Sequence, residues 1–281
     1  MKRIITTLSL SALLIGCTTQ IKESDFIAQD ESTIAYSKTF INDLNDRTPN
    51  HDVKPITLNV EDESIELNGL HLDNNKTTKT ILYIPGNGMS VEDAAKNALI
   101  NLAQYQFDIV IFDRRGLGAT KGKASITNLI KDANLSYQFT KGQLGASTLI
   151  VHGFSLGSFV AAQVAKQQPI DGLIMEGSAT NITEWVDEAM PWYTKVLFDV
   201  QVDKAFYTVD NKKVLQDTYK GPLLVIGGGK DEQTPIALTH GLFSASQSQN
   251  KQLVIADEAG HNNMFENEDV RTAYQTFLSH L

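Results

Sequence analysis

The sequence predicts a single α/β domain built on a doubly wound, mostly parallel β-sheet. Continuously apolar runs, typical of strands buried on both faces, alternate with helical patterns over most of the chain. The length of 281 residues suits one large domain with a substantial core. Ligands bind such sheets at the carboxyl ends of the strands, so functional residues are expected in the loops that follow the strands.

Each element can be placed from its pattern. Alternating apolar and polar residues predict an antiparallel hairpin at 56–61 and 64–72. Continuous apolar runs predict buried parallel strands at 80–84, 108–112, 148–151, 172–175, 223–226 and 253–255. Apolar residues at helical spacing predict helices at 91–103, 125–139, 156–167, 235–244 and 267–279.

The segment 178–220 interrupts this alternation between two strands. It is rich in aromatic residues, namely Trp185, Trp192, Tyr193, Phe198, Phe206 and Tyr207. Two interpretations are open. The segment forms ordinary helices that pack on the core, or it forms a small helical cap that lines an apolar acyl pocket over the strand ends.

The first 16 residues have the layout of an export signal. Lys2 and Arg3 precede an uncharged apolar run at 4–15, which is too short to span a bilayer permanently. The run leads to Cys17, the only cysteine of the chain, and Leu14–Cys17 resembles the bacterial lipobox, whose cysteine is lipidated after cleavage. In the alternative, the protein is secreted and Cys17 is discarded with the signal.

Residues 17–55 are predicted to be a lipidated cysteine followed by a flexible tether with room for one short helix, because their composition is polar and aperiodic. The folded domain is predicted to cover 56–281. Thr18, in place of an Asp after the cysteine, resembles lipoproteins sent to the outer membrane of Gram-negative bacteria. These features predict a protein held by its lipid at the bacterial cell envelope, facing the periplasm.

The charge balance argues against a nucleic-acid partner. The formal net charge is −9, and the chain lacks the concentrated basic surface that phosphate binding requires. The sequence shows no metal-ligand cluster, Walker loop or dinucleotide fingerprint, so no cofactor or metal is expected.

The strongest chemical signal is a G-x-S-x-G pentapeptide centred on Ser155. It follows the predicted strand 148–151 and opens the predicted helix 156–167, which is the setting of a nucleophile elbow. Glycines two residues before and after the serine permit the sharp turn that exposes its hydroxyl. The alternative is a turn serine that only caps the helix. The context favours Ser155 as the catalytic nucleophile.

A serine hydroxyl needs a base, and His261 is the candidate. It lies on a loop shortly after the last predicted strand, where the chain returns to the strand tips. Four other histidines lie outside such loops, and His152 immediately precedes the elbow, where it is expected to be buried. The alternative for His261 is an ordinary surface position.

The imidazole in turn needs a carboxylate partner. Asp231 follows the predicted strand 223–226 after a glycine-rich turn and precedes a proline that starts a helix, which favours it as the acid. Glu176, just past the strand 172–175, is the alternative acid.

A tetrahedral oxyanion requires backbone N–H donors that are in place before the reaction. One is expected from Leu156, the residue after the nucleophile, and the other from Asn87 in the glycine-rich loop after the strand 80–84. Gly88 is the second choice for that loop. The loop could alternatively be a simple turn at the start of a helix.

Together these motifs resemble the α/β-hydrolase superfamily, and within it the serine-aminopeptidase-like branch that contains monoacylglycerol lipases. The matching motifs are Pro85–Gly88, Asp113–Gly118, Gly153–Gly157, Gly227–Asp231 and Ala259–Asn262, in the order of the family. Pro85 stands where the family usually has His. The resemblance implies an eight-stranded, mostly parallel sheet with helices on both faces.

The expected function is hydrolysis of a carboxylic ester or thioester with an apolar acyl part, through Ser155, His261 and Asp231 and an acyl-enzyme. Two alternatives remain open. The same triad could serve a peptidase or a carbon–carbon bond hydrolase, because specificity depends on the shape of 178–220. The chain could also be a catalytically silent lipoprotein of the envelope that uses the fold for binding.

Overall fold

A computed structural model describes residues 17–30, 33–61, 63–189 and 198–281 of the chain. The strands are β1 (Cys17–Ile21), β2 (Asp52–Val60), β3 (Ile65–Asp73), β4 (Lys79–Ile84), β5 (Asp108–Phe112), β6 (Thr148–Phe154), β7 (Gly172–Glu176), β8 (Phe198–Val202), β9 (Leu223–Gly228) and β10 (Lys251–Ala256). The α-helices are α1 (Glu23–Phe26), α2 (Lys38–Arg47), α3 (Val91–Ala94), α4 (Ala98–Leu102), α5 (Ile126–Gly142), α6 (Leu156–Gln167), α7 (Ile182–Ala189), α8 (Asn211–Lys213), α9 (Ile236–Ala245) and α10 (Glu268–Ser279).

The central sheet has eight strands in the order β10-β9-β7-β6-β4-β5-β3-β2. The hairpin β2–β3 is antiparallel and β3 joins β5 antiparallel, whereas the six strands from β4 to β10 in this sheet pair in parallel. The predicted eight-stranded, mostly parallel sheet is therefore confirmed. Strand β6, which leads to Ser155, lies near its centre.

Alternate residues of the buried strands feed a core on each face of the sheet. One core contains side chains such as Ile81, Ile109, Ile150 and Ile174, packed with Phe277 of α10. The other contains their neighbours Leu82, Val110, Val151 and Leu173, packed with Ala161 of α6. Burial on both faces explains why these strands are continuous apolar runs in the sequence.

The prediction of one helix over 91–103 is wrong. The chain forms α3 and α4, with the break at Asn97, whose φ of −139° is not helical. The side chain of Ser90 caps α3 and exchanges hydrogen bonds with Asp93, which sets where that helix starts. Asparagine favours such boundary positions because its side chain competes for backbone hydrogen bonds.

The prediction that 17–55 is a flexible tether is also wrong for most of this segment. Helix α2 is capped by Ser37 and buries Leu44 completely, and Ile27 is only 2% exposed. Strand β2 already begins at Asp52. The folded domain therefore begins well before residue 56, because a few widely spaced apolar side chains dock this polar segment on the core.

The cap is only partly helical, which corrects the expected small helical cap. Strand β8 within it pairs in parallel with β1, so that Cys17 lies opposite Phe198 in a separate two-stranded sheet. No helix within the described ranges has the length and hydropathy needed to cross a bilayer.

Candidate active site

Ser155 occupies the sharp turn between β6 and α6. Its φ of 53° and ψ of −122° make it the only non-glycine residue with a positive φ in the described part of the chain. A Cβ on Gly157 would lie 2.1 Å from the carbonyl oxygen of Ile84, and one on Gly153 would lie 2.5 Å from that of Gly157. Strain of this kind is typical of functional turns, and here it is held by close packing that only glycine permits.

The side chains of Ser155, His261 and Asp231 form one continuous hydrogen-bonded row. His261 Nε2 lies 2.9 Å from Ser155 Oγ, and His261 Nδ1 lies 2.8 Å from Asp231 Oδ2. Both the imidazole and the carboxylate are buried. The three residues singled out in the sequence thus meet at the carboxyl ends of β6, β9 and β10, although they are far apart in the chain.

Asp231 is held by four donors. Its Oδ1 accepts from the backbone N–H groups of Gln233 and Thr234, at 2.8 and 2.9 Å, and its Oδ2 accepts from the Thr234 hydroxyl at 2.6 Å as well as from His261. Burial alone would raise the pKa of Asp231, but the hydrogen bonds from His261 and Thr234 outweigh it and hold this pKa below its ordinary value. The carboxylate is therefore kept ionised beside the imidazole.

Thr234 is a residue of the site whose role was not predicted from the sequence. Its hydroxyl donates to Asp231 and lies 3.4 Å from His261 Nδ1, so it fixes the carboxylate and borders the imidazole. A local pattern could have indicated this contact, because an Asp followed three residues later by a Thr is a spacing at which the two side chains can form hydrogen bonds within one turn.

Glu176 does not reach His261. Its Oε2 lies 3.1 Å from Nε2 of His152, and His152 Nδ1 lies 3.1 Å from the Tyr274 hydroxyl. His152 is fully buried beneath the elbow, as its sequence position predicts. The backbone of Glu176 nevertheless contacts the site, because its carbonyl accepts from Ser155 N–H at 2.9 Å.

The two expected oxyanion donors lie beside Ser155. Leu156 is the first residue of α6, so its N–H has no acceptor within the helix. Asn87 follows β4, and both residues line the cavity into which Ser155 opens. The neighbouring Gly88 has a φ of 75°, which lets the loop turn sharply at this point.

The cavity above Ser155 has a volume of about 240 Å³ and a largely apolar wall. The cap contributes Ala179, Ile182, Trp185, Phe206 and Val209, as expected for a cap that lines a pocket. Tyr207 instead is 58% exposed, Phe198 lies in β8, and Trp192 and Tyr193 lie outside the described residues. Phe26, from the segment predicted to be a tether, also lines the cavity.

Among the residues that the structure describes, one group of side chains could hold a metal ion. The ligand atoms of His71, Asp73 and Asp108 lie within 4.8 Å of one another. Lys54 Nζ, however, lies 2.6 Å from Asp73 Oδ2 and already supplies a positive charge there. Asp108 starts the parallel strand β5, so the group is at the opposite edge of the sheet from Ser155 and takes no part in this site.

A family model supports this picture from the sequence. The model described as "Serine aminopeptidase, S33" matches residues 75–219, which include the elbow and the loop of Asn87.

Curated relatives match more distantly. Human protein ABHD12B is 27% identical over 186 residues, covering 60% of this chain and 50% of that protein. The lysophosphatidylserine lipase ABHD12 of Danio rerio is 34% identical over 110 residues, covering 37% of this chain and 29% of that protein. The chain thus spans half or less of the length of these relatives.

Solved structures share the fold over nearly the whole chain. The Pyrococcus furiosus esterase Pf2001 superposes with a TM-score of 0.69 at 18% identity, covering 90% of this chain and 99% of that one. A predicted hydrolase from Thermoplasma acidophilum gives a TM-score of 0.60 at 17% identity, covering 82% of this chain and 100% of that one.

Proposed function

We propose that this chain, which belongs to the serine aminopeptidase S33 family and has the α/β-hydrolase fold, acts as a hydrolase. In our proposal it cleaves a carboxylic ester or thioester with an apolar acyl part. The observation that carries the proposal is the hydrogen-bonded row of Ser155, His261 and Asp231, in which Ser155 lines a largely apolar cavity.

In the proposed reaction, Ser155 Oγ attacks the carbonyl carbon of the substrate while its proton passes to His261 Nε2. The ester bond then breaks, and His261 gives the proton to the leaving alcohol or thiol. Water attacks the acyl group on Ser155, its proton passes through His261 to Ser155 Oγ, and the acid leaves. Asp231 holds the imidazole in the orientation that each proton transfer needs.

The negative charge on the substrate oxygen requires donors aimed at it in advance. We assign this role to the backbone N–H groups of Leu156 and Asn87, two residues that line the same cavity as Ser155. The positive end of α6, which starts at Leu156, adds to the stabilisation of the oxyanion.

The acyl part of the substrate is proposed to lie in the cavity under the cap. Its wall is formed largely by aliphatic and aromatic side chains, which favour a hydrocarbon chain over a polar group. The names of two similar proteins, an esterase and a lysophosphatidylserine lipase, point to ester substrates as well.

A peptidase is the second candidate, favoured by the name of the family. The acidic side chain of Glu232 borders the cavity and could face the ammonium of a free amino terminus. Turnover of matched p-nitrophenyl esters, acyl thioesters and aminoacyl anilides distinguishes the two. We expect kcat/KM for the esters or thioesters to exceed that for the anilides by at least 100-fold, and the reverse order would support the peptidase.

We also propose that Cys17 carries the lipid that holds the protein on the envelope, on the periplasmic side of the outer membrane. Anchoring would rest on hydrocarbon burial, worth about 0.8 kcal/mol per CH₂ group, and takes more than one chain to be stable. Because β1 starts at Cys17 and pairs with β8 of the cap, such a lipid would hold the cap close to the bilayer.

A further inference from the structure

A short segment near the start of the described chain forms one wall of the cavity above Ser155. We define it as the N-terminal strap, residues 23–30. The ring of Phe26 packs edge-on against Trp185, at 5.8 Å between centroids, and against Phe206, at 5.3 Å. All three rings line the cavity. The adjacent Ile27 is buried in an apolar cluster with side chains of α6 and of the cap. The strap thus closes a space that the hydrolase core and the cap leave open.

The side chain of Asn87 binds the strap on both sides of Ile27. Its Nδ2 donates to the carbonyl of Phe26 at 2.7 Å, and its Oδ1 accepts from the N–H of Ala28 at 3.0 Å. Two backbone groups of the strap are therefore satisfied by one amide side chain. The backbone N–H of the same Asn87 is the oxyanion donor proposed above.

Arg114 ties the same point to the loop of Asn87. Its Nη2 donates to the carbonyl of Ala28 and to Asn87 Oδ1, both at 3.0 Å, and its Nη1 donates to the carbonyl of Gly86 at 3.1 Å. The guanidinium thus bridges the strap and the residue next to Asn87. Any displacement of the strap would break contacts that hold this loop.

Further hydrogen bonds fasten both ends of the strap to residues 116–126. The carboxylate of Glu23 accepts from the N–H of Ile126, and Gln29 Oε1 accepts from the N–H of Ala124 at 3.1 Å. Asp30 accepts from the N–H of Gly118 at 2.9 Å and donates its own N–H to the carbonyl of Gly116 at 2.7 Å. The strap is therefore a built part of the site.

We propose that the N-terminal strap sets the acyl-chain length that the enzyme accepts, with Phe26 as the specificity-determining residue and the Asn87 side chain as the positioning group. This inference rests on the proposed function. The ring of Phe26 occupies space that a longer acyl chain would need. One methylene in an apolar pocket changes kcat/KM by about tenfold or more, so a changed ring size should be visible in a substrate series.

The test compares kcat/KM for p-nitrophenyl decanoate with that for p-nitrophenyl butyrate. In Phe26→Ala the decanoate-to-butyrate ratio of kcat/KM should rise at least tenfold, because the smaller side chain enlarges the cavity. In Phe26→Trp the ratio should fall, because the larger ring reduces the cavity volume. Phe40→Ala is the matched control, since Phe40 is also a partly buried aromatic of the N-terminal region but packs against Tyr36 away from the cavity. Its ratio should stay within twofold of the wild type.

An unchanged ratio in folded Phe26→Ala and Phe26→Trp, with an active wild type, would overturn the inference while leaving the proposed function intact. If Phe26→Ala does not fold, the direction of the change in Phe26→Trp decides. A wild type that hydrolyses none of the esters would instead contradict the proposed function, and this inference with it.

The positioning role of Asn87 has its own readout. Asn87→Ala keeps the backbone N–H but removes both bonds to the strap, so we expect trypsin to cut after Lys22 at least tenfold faster than in the wild type. Asn87→Asp keeps the acceptor for Ala28 and should be intermediate. The decanoate-to-butyrate ratio should move towards that of Phe26→Ala. Wild-type cleavage and an unchanged ratio in Asn87→Ala would remove Asn87 from the proposal.

Discussion

Glu176 Oε2 lies 3.1 Å from Nε2 of His152, so this carboxylate is paired with an imidazole other than the one that faces Ser155. Within the described residues, two buried pairs of carboxylate and imidazole therefore lie at the carboxyl ends of the parallel strands. The pair of Asp231 and His261 contacts the serine hydroxyl, and the other lies beneath the elbow and contacts Tyr274.

The two carboxylates should consequently differ in their effect on catalysis. Asp231→Asn should lower kcat by about 10⁴-fold, because the imidazole loses the partner that fixes its orientation. Glu176→Gln, the matched control, should lower kcat less than tenfold, since its side chain touches no group of the proposed triad. Steady-state kinetics on one ester decides this, and a larger loss in Glu176→Gln would move the acid to β7.

The lowered pKa of Asp231 predicts how stability depends on pH. The folded-state pKa lies below the unfolded value of about 3.9, so the ionised carboxylate stabilises the fold above that pH, and the contribution is lost as pH falls through the folded-state pKa. The wild type should thus be more stable than Asp231→Asn at pH 7, and the difference should shrink below about pH 4. Urea unfolding of both proteins at pH 7, 5 and 3 measures it. A difference that grows towards pH 3 would contradict the assigned direction.

The strained backbone of Ser155 predicts a stabilising substitution. A non-glycine residue in this conformation costs the folded state about 1–3 kcal/mol. Replacing it with glycine removes this cost, but glycine loses more conformational entropy on folding, which costs about 0.5–1 kcal/mol in return. Ser155→Gly should therefore exceed Ser155→Ala in free energy of unfolding by about 1 kcal/mol, although both lack the hydroxyl. Urea denaturation compares them, and equal or reversed stabilities would argue against stored strain at the elbow.

The proposed anchor predicts where the protein is found. With a lipid on Cys17, the wild type should fractionate with the outer membrane and incorporate labelled palmitate. Cys17→Ser should lose the label and yield either a soluble, still active enzyme or an unprocessed precursor. Recovery of wild-type protein from the cytosol with residues 1–16 intact would refute the anchor and leave the catalytic proposal untouched.

The parts of the site that the sequence predicts are those whose position depends on neighbours in the chain. Ser155, Asp231 and His261 each follow a buried strand, and parallel strands bring the loops after their carboxyl ends to one edge of the sheet. Their mutual proximity then needs no further information.

The parts that the sequence did not predict depend on contacts between distant segments. Asn87 and Ala28 are 59 residues apart in the chain, so no local sequence pattern predicts the hydrogen bond from the N–H of Ala28 to Asn87 Oδ1. Phe26 and Ile27 are a short apolar pair in a polar stretch. Composition alone therefore could not show that Ile27 is buried and that Phe26 is partly buried against the cap, rather than both belonging to a tether. The break of the helix at Asn97 depends on a cap that competes with helical periodicity.

The central claim is that Ser155 is the nucleophile of a serine hydrolase. Its most direct test is the reaction of the purified protein with a fluorophosphonate probe, followed by mass-spectrometric mapping of the modified peptide. We predict one adduct, on Ser155, that is absent in Ser155→Ala and strongly slowed in His261→Ala. A wild type that forms no adduct, or a Ser155→Ala variant that is modified at the wild-type rate, would contradict the account.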